Sequence, residues 1–182
     1  MSADRSSDFQ TELAALVPNL RAFARSLCGA PDQADDLVQE TLVKAWKSQA
    51  SFAEGSNLKA WLFTILRNAF LSERRKRKWE VPDSDGEHAL QVGVNGGQLG
   101  HMDMLDFNKA FEQLPDEQKE ALVLIGAEGF SYEEAALMCG CAVGTIKSRV
   151  NRARNKLAQI MGGDPVTDTA EHREPSQQAG SR

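Results

Sequence analysis

The pattern of apolar residues before residue 80 is helical. A first helix is predicted by apolar side chains three or four positions apart at Phe9, Leu13, Leu16, Val17 and Leu20. Pro18 lies inside that stripe and is expected to kink or restart the helix, because proline removes a backbone hydrogen bond. Since no segment alternates apolar and polar residues for long enough to form a strand, this part of the chain is expected to be all-α.

Two more helices are predicted in the same half. The second is expected to open after Asp32 as N-cap, with Asp35 at the third position. Its apolar stripe consists of Leu37, Val38, Leu42, Ala45 and Trp46. The third is expected to begin after Ser56 or Asn57 and to end in the basic run Arg74–Lys78. Its apolar stripe consists of Leu58, Trp61, Leu62, Ile65 and Ala69.

The aromatic residues of this half allow two interpretations. Trp46 and Trp61 fit a core position better than a surface position, because each lies on an apolar stripe. Phe63 and Phe70 fall beside the main stripe of the third helix. They either widen its core face or contact a partner.

A linker is expected at residues 81–106. This segment carries Asp and Glu but neither Lys nor Arg, and residues 92–100 are rich in glycine without a helical period. Together with the acidic tail after Met161, the linker carboxylates exceed the net charge of −5 of the whole chain. The helical segments on either side are therefore near neutral or slightly positive and can form local basic patches.

Signals for a helix-turn-helix follow the linker. One helix is predicted at Met104–Gln113 and another after Pro115, a residue favoured in the first turn. Ser131-Tyr-Glu-Glu134 is a capping box before an apolar run, and Gly140 supplies a tight turn. A final helix is expected from about Val143 toward Met161, so the last two helices have the helix-turn-helix arrangement.

The expected organisation is two small helical domains joined by a flexible acidic linker. The segments are a disordered N-terminus at 1–8, a helical domain at 9–80, the linker at 81–106, a helix-turn-helix domain at 107–161 and a disordered tail at 162–182. The start of the chain lacks the features of a secretory signal, and no apolar run approaches the ~18 residues of a membrane span, so a cytoplasmic protein is expected.

Metal, disulfide and catalytic sites are not expected. Cys28, Cys139 and Cys141 are odd in number without an export signal, and no histidine lies close enough to them in sequence to suggest a zinc site. Asp36, Gln39 and Glu40 form an outward polar surface without a histidine, while Asp35 suits a cap, so a solvated or partner-binding face is expected rather than a catalytic pair. No glycine-rich phosphate loop is present. The chain is therefore expected to be no enzyme and to need no cofactor.

The final helix sorts its residues into two faces. At ~100° per residue, the buried stripe consists of Ile146, Val150, Ala153 and Leu157. The opposite face carries side chains suited to base edges and phosphates, whereas an alternative interpretation is a merely solvated basic face. The candidates for duplex DNA contact are Thr145, Lys147, Ser148, Arg149, Asn151, Arg152 and Arg154.

The third helix combines cations with aromatic rings. The basic run Arg74–Lys78 follows Trp61, Phe63 and Phe70, a mixture that holds unstacked single strands, although charged helix ends are commonly only solvated. The loop before this helix, Phe52–Asn57, completes the candidate surface.

The order of these parts resembles the extracytoplasmic-function (ECF) sigma factors of the sigma-70 family over residues 9–161. The matching strings are Ala34-Asp-Asp-Leu-Val-Gln-Glu-Thr41, Asn57-Leu-Lys-Ala-Trp-Leu-Phe-Thr-Ile-Leu-Arg-Asn68 and Gly144-Thr-Ile-Lys-Ser-Arg-Val-Asn-Arg-Ala-Arg154. Glu128-Gly-Phe-Ser-Tyr-Glu-Glu-Ala-Ala136 with Cys139-Gly-Cys141 is similar to the EcfG-type general stress response sigma factors of alphaproteobacteria. In many helix-turn-helix sequences a capping Ser, Thr or Pro stands where this chain has Ala142.

The resemblance implies three binding surfaces on a sigma region 2 bundle and a sigma region 4 helix-turn-helix. Core polymerase would be bound by Asp35, Asp36, Gln39 and Glu40. The minus-ten element, with a flipped base, would be held by Phe52, Ser56, Asn57, Arg67, Asn68, Arg74 and Arg75. The face derived from the period of the last helix would read the minus-thirty-five element, with a GGAAC-like sequence in the EcfG type.

The resemblance also implies partners and control. The implied partners are core RNA polymerase, bound through its beta-prime clamp and beta flap, promoter DNA and a NepR-like anti-sigma factor. The anti-sigma factor would itself be removed by the response regulator PhyR. Two other functions remain open. A free-standing helix-turn-helix transcription factor would leave the basic, aromatic surface of the first half unexplained. A sigma mimic that titrates an anti-sigma protein would be expected to have a degraded recognition helix.

Overall fold

The computed structural model describes residues 2–53, 55–80 and 100–163. Within these ranges the regular structure is entirely helical, so the all-α prediction is confirmed. No helix among the described residues is long and apolar enough to cross a membrane. The helices are α1 (Ser2–Cys28), α2 (Pro31–Lys47), α3 (Leu58–Glu80), α4 (Gly100–Glu112), α5 (Asp116–Leu122), α6 (Tyr132–Cys139) and α7 (Val143–Ile160). A 3₁₀ turn lies at Gln49–Ser51 and a π-helical turn at Val123–Ala127.

The first half is a bundle of α1, α2 and α3 around an apolar core. Leu20, Phe23, Leu37, Leu62 and Leu66 are at most 1% exposed, which is the arrangement that the apolar stripes predict. The helix α1 passes through Pro18 without a break and starts at Ser2, inside the segment for which disorder was predicted. Because Pro18 faces solvent, the ring and the lost hydrogen bond disturb no packed surface.

The residues at their first turns determine where α2 and α3 begin. Pro31 occupies the first turn of α2 with Ala30 as N-cap, so the predicted N-cap role of Asp32 is wrong. Asp32 lies in the first turn instead, where its charge faces the positive end of the helix dipole. At α3 the prediction of a start after Asn57 is confirmed, because the Asn57 Oδ1 accepts a hydrogen bond from the Ala60 N–H at 3.1 Å.

The second half is built from α4 to α7 and contains the predicted helix-turn-helix. The capping box is confirmed, since the Glu134 N–H donates to Ser131 Oγ at 3.1 Å and the Ser131 N–H donates to Glu134 Oε2 at 2.9 Å. Gly140 ends α6 with a φ of +63°, a value that glycine adopts without strain. The helix α4 begins at Gly100, so residues 100–106, which were assigned to the linker, are helical.

The two halves share a continuous core. Phe63 stacks on Phe23 at 4.9 Å between ring centroids and meets Phe130 of the second half edge-on at 5.1 Å. The open interpretation of Phe63 is thus resolved in favour of the core, with 1% of its surface exposed. Trp46, which was placed on the buried stripe of α2, is 48% exposed, and that expectation is wrong. Smaller residues of the stripe, such as Ala45, are the ones buried where α2 packs against its neighbours.

Candidate nucleic-acid and polymerase interface

The outer face of α7 presents three exposed cations. Ile146, Val150, Ala153 and Leu157 are buried, which points the opposite side of the helix outward. Lys147, Arg152 and Arg154 are exposed there, and no side-chain partner restricts Arg152 or Arg154 in the described contacts. The helix that follows a glycine turn thus carries a cationic outer face of the kind that enters a DNA major groove.

Other candidates on α7 are engaged within the domain. Arg149 is half-buried and donates through Nη2 to the Glu117 carboxylate at 2.6 Å, so the structure uses it to join α7 to α5. The Ser148 hydroxyl donates to the Thr145 carbonyl at 2.9 Å, and Asn155 Nδ2 donates to Asn151 Oδ1 at 2.9 Å. Lys147 remains exposed, although its ammonium lies over the Tyr132 ring at 5.6 Å. The free members of this face are therefore fewer than the sequence predicts.

Aromatic rings pack against the loop before α3. Phe52 is half-buried against Trp61 at 5.2 Å and Phe9 at 6.2 Å between ring centroids. The Ser56 hydroxyl donates to the Ala53 carbonyl at 2.6 Å, which closes the turn ahead of the cap residue Asn57. Phe52 thus anchors the loop to the aromatic rings of Phe9 and Trp61, while Ser56 and Asn57 stay exposed.

The minus-ten candidates on α3 divide into two groups. Asn68 and Arg75 are exposed, and Arg75 donates to the Leu71 carbonyl and to the Ser72 hydroxyl of its own helix. Arg67 and Arg74, by contrast, are ion-paired with carboxylates of the second half, Arg67 with Glu120 at 2.5 Å and Arg74 with Asp116 at 2.6 Å. The predicted minus-ten residues lie along one helix and its preceding loop, but in this conformation only some of them are free.

The exposed face of α2 combines acids with apolar side chains. Asp36, Gln39 and Glu40 are exposed as predicted, and Glu40 pairs with Lys44 at 2.6 Å. Asp35 is turned toward α1, where it pairs with Arg21 at 3.1 Å. Near the first three residues lie Val43 and Trp46, exposed by 52% and 48%. Neither was predicted to lie on this surface, although their spacing from Gln39 by four and seven residues places them on the same helical face.

No described group of three or more His, Cys, Asp or Glu side chains is placed to hold a metal ion. Burial raises the pKa of the Cys139 thiol to about 12, helped by the nearby charge of Glu120, and raises that of Cys28 to about 11. Both thiols are protonated at neutral pH and are poor nucleophiles. An open groove of about 300 Å³ lies beside Cys28 and Arg77.

Comparisons with known proteins place this architecture in a family. The model of Sigma-70 region 2 matches residues 13–80, and that of Sigma-70, region 4 matches residues 104–157. The ECF RNA polymerase sigma factor EcfG of Rhodopseudomonas palustris (strain TIE-1) is 57% identical over 157 residues, which are 86% of this chain and 87% of that protein. The chain belongs to the ECF RNA polymerase sigma factors. The resemblance found in the sequence strings is thereby confirmed.

Solved structures of sigma factors share the arrangement. The sigma factor RpoE of Bartonella quintana, crystallised with the anti-sigma factor NepR, is 58% identical and superposes with a TM-score of 0.75 over 85% of this chain and 97% of that one. CnrH, in complex with the cytosolic domain of CnrY, is 25% identical with a TM-score of 0.64 over 86% of this chain and 89% of that one. ECF sigma factors are not a family of enzymes.

Proposed function

We propose that this sigma factor uses three separate surfaces to start transcription. The exposed face of α2 binds the core RNA polymerase, the loop and α3 hold the opened minus-ten element, and the outer face of α7 reads the minus-thirty-five element as duplex. The roles of individual residues follow from this assignment. The protein performs no catalysis of its own and works in the cytoplasm, where polymerase and chromosome are.

The observation that carries the proposal is the sorting of α7. Four apolar residues are buried on one side, and Lys147, Arg152 and Arg154 are exposed on the other, directly after a capping box and a glycine turn. Arginine and lysine recognise guanine through its O6 and N7 atoms and also bind phosphates. A helix with this face, supported by α6, fits a major groove.

Control by an anti-sigma protein is part of the proposal. The Bartonella relative was crystallised with NepR, and the EcfG relative is more than half identical to this chain. We infer a NepR-like partner that covers polymerase and DNA surfaces until stress releases the sigma factor. The genes it serves are accordingly stress-response genes.

Run-off transcription tests the proposal directly. Core polymerase free of sigma factor is mixed with the protein and with templates that carry or lack a GGAAC-like upstream element. Transcripts are expected only when both the protein and the element are present. Core binding without transcripts would contradict the proposal and favour a sigma mimic, and tight binding to a palindromic duplex without polymerase would favour an independent transcription factor.

A further inference from the structure

Polar and aromatic contacts tie α3 to the second half of the chain. The carboxylates come from α5 and from the segment around α6, and their partners come from α1, the α3 loop and α3 itself. The contacts are Arg67 to Glu120, Lys59 to Glu128, Asn19 to Glu128, Asn57 to Glu134 and Arg74 to Asp116. Since α3 is the helix proposed to hold the minus-ten element, these contacts bear on its availability.

The pair of Arg67 and Glu120 lies inside this interface. Their side chains are 15% and 9% exposed, and Arg67 donates through Nε at 2.5 Å and more weakly through Nη2 at 3.5 Å. Burial alone would lower the pKa of Arg67, but the hydrogen bond and the charge of Glu120 outweigh it and leave that pKa raised. Arg67 and Glu120 therefore have each other as charge partners only while the two halves are in contact.

Lys59 forms the second inner contact. Its ammonium donates to the Glu128 carboxylate at 2.9 Å and to the Glu128 carbonyl at 2.8 Å. It also lies 5.0 Å from the ring centroid of Phe130 and 5.7 Å from that of Phe63. A cation held by a carboxylate over two rings that touch each other is a specific fit between the two halves.

The carboxylates bind side chains that the proposed function assigns to DNA contact. Arg67, Asn57 and Arg74 are minus-ten candidates, and in this conformation each contacts an acidic side chain of the second half. Carboxylate oxygens take the hydrogen bonds that nucleic-acid phosphates would otherwise accept. Promoter DNA and these carboxylates therefore compete for the same donors.

We propose that the chain closes on itself through a latch made of Lys59, Phe63, Arg67, Glu120, Glu128 and Phe130, and that the latched form is inhibited. The minus-ten surface is blocked until the two halves separate. The latch needs no second protein, so an anti-sigma factor would bind a conformation that the chain already adopts. The inhibitory part of this inference rests on the proposed function of α3, whereas closure itself does not.

The closed form is tested by a distance measurement on the full chain. Nitroxide labels are placed at two exposed positions, Ala22→Cys on α1 and Gln159→Cys on α7. The three native cysteines are first replaced by Cys28→Ser, Cys139→Ala and Cys141→Ser, since Cys139 lies beside Glu120 and would be exposed by opening. The unaltered latch is expected to give one narrow distance distribution. Glu120→Gln and Glu128→Gln leave Arg67 and Lys59 without their charge partners, so a broad population at longer distance should grow to roughly half of the molecules.

A functional measurement accompanies it. If only open molecules bind core polymerase and promoter, Glu120→Gln should raise the apparent affinity for a minus-ten promoter fragment with core polymerase by about 3–10-fold. Glu133→Gln removes one exposed carboxylate from the same domain outside the latch and should leave the affinity unchanged. Arg67→Gln should open the chain but lose the gain, because it removes a DNA contact as well.

The outcomes separate the two proposals. Unchanged distances in both Glu120→Gln and Glu128→Gln, with circular dichroism showing intact helices, would overturn the latch. Opening without a gain in affinity would overturn its inhibitory role. If Glu120→Gln fails to fold, Lys59→Met, which keeps the alkyl stem, provides the same test. Absence of promoter-dependent transcripts from wild-type protein would contradict the proposed function and leave the distance result standing, since that measurement needs no polymerase.

Discussion

At the scale of single residues, two neighbouring arginines of α7 have different surroundings. Arg152 is exposed, whereas Arg149 is held by the Glu117 carboxylate at 2.6 Å and has a side chain only 19% exposed. The sequence pattern alone treats them as equals, because both lie on the polar side of the same helix. The partner of Arg149 lies 32 residues away on α5, and no local pattern reports it.

The first prediction follows from that difference. Arg152→Ala should weaken recognition of the minus-thirty-five element by about 1–3 kcal/mol while polymerase binding and stability stay unchanged. Binding of the holoenzyme to labelled promoter duplexes with intact and altered upstream elements measures it. Arg25→Ala, an exposed arginine on α1, is the matched control. Loss of polymerase binding in Arg152→Ala would show that the surfaces are wrongly assigned.

The second prediction concerns Trp46. This side chain is 48% exposed on the face of α2 that carries Asp36, Gln39 and Glu40. Trp46→Ala should therefore reduce affinity for core polymerase by about 2 kcal/mol, the size expected of an aromatic anchor, yet change the free energy of unfolding little. Titration of core polymerase with labelled protein measures the affinity. Leu137→Ala, exposed by 83% on α6, should leave it unchanged, and an equal loss there would refute the assignment.

At the scale of elements, α6 depends on a reciprocal cap. Hydrogen bonds from the Ser131 backbone lower the pKa of Glu134 below its ordinary value, against a smaller opposing effect of burial, with help from Asn57 and Lys59. The charged carboxylate is thus the form that stabilises the start of the helix-turn-helix. Its contribution is fully present at neutral pH and is lost as the pH falls through the lowered pKa.

The third prediction measures this cap. Ser131→Ala should cost about 1 kcal/mol of unfolding free energy at pH 7, as for other N-cap losses. Glu134→Gln should also destabilise at pH 7, but its difference from wild type should shrink as the pH falls from about 5 to about 3. Urea unfolding at several pH values tests both. A difference that stays constant over this range would mean that the ionised form of Glu134 does not carry the effect.

The presence of the helices and their caps was the feature that could best be predicted from the sequence. The capping box, the turn at Gly140 and the buried stripe of α7 depend on residues within a few positions of each other, so the sequence pattern contains them. The boundaries were harder, as the start of α4 at Gly100 shows. A single helical stripe also does not reveal which large side chain at its edge will be covered, and Trp46 was misplaced for that reason.

At the scale of the whole molecule, the joining of the two halves lay beyond sequence reasoning. Arg67 and Glu120 are 53 positions apart, and Lys59 and Glu128 are 69 apart, so periodicity carries no information on their meeting. The consequence in the structure is a main apolar core that runs from Leu20 of α1 to Phe130 and Ile146 of the second half, with a smaller apolar cluster around Leu114 and Leu157 beside it. Two domains that share a core are expected to unfold together.

The last prediction tests that coupling. All three tryptophans lie in the first half, so their fluorescence follows that half, whereas circular dichroism follows the helices of both. The two urea transitions should coincide in the wild type. Glu120→Gln leaves Arg67 without its charge partner and should weaken the coupling between the halves by about 1–2 kcal/mol, so the two transitions should separate. Glu133→Gln should keep them coincident. Separate transitions in the wild type would mean that the halves are independent, and the common core would then contribute nothing to their cooperativity.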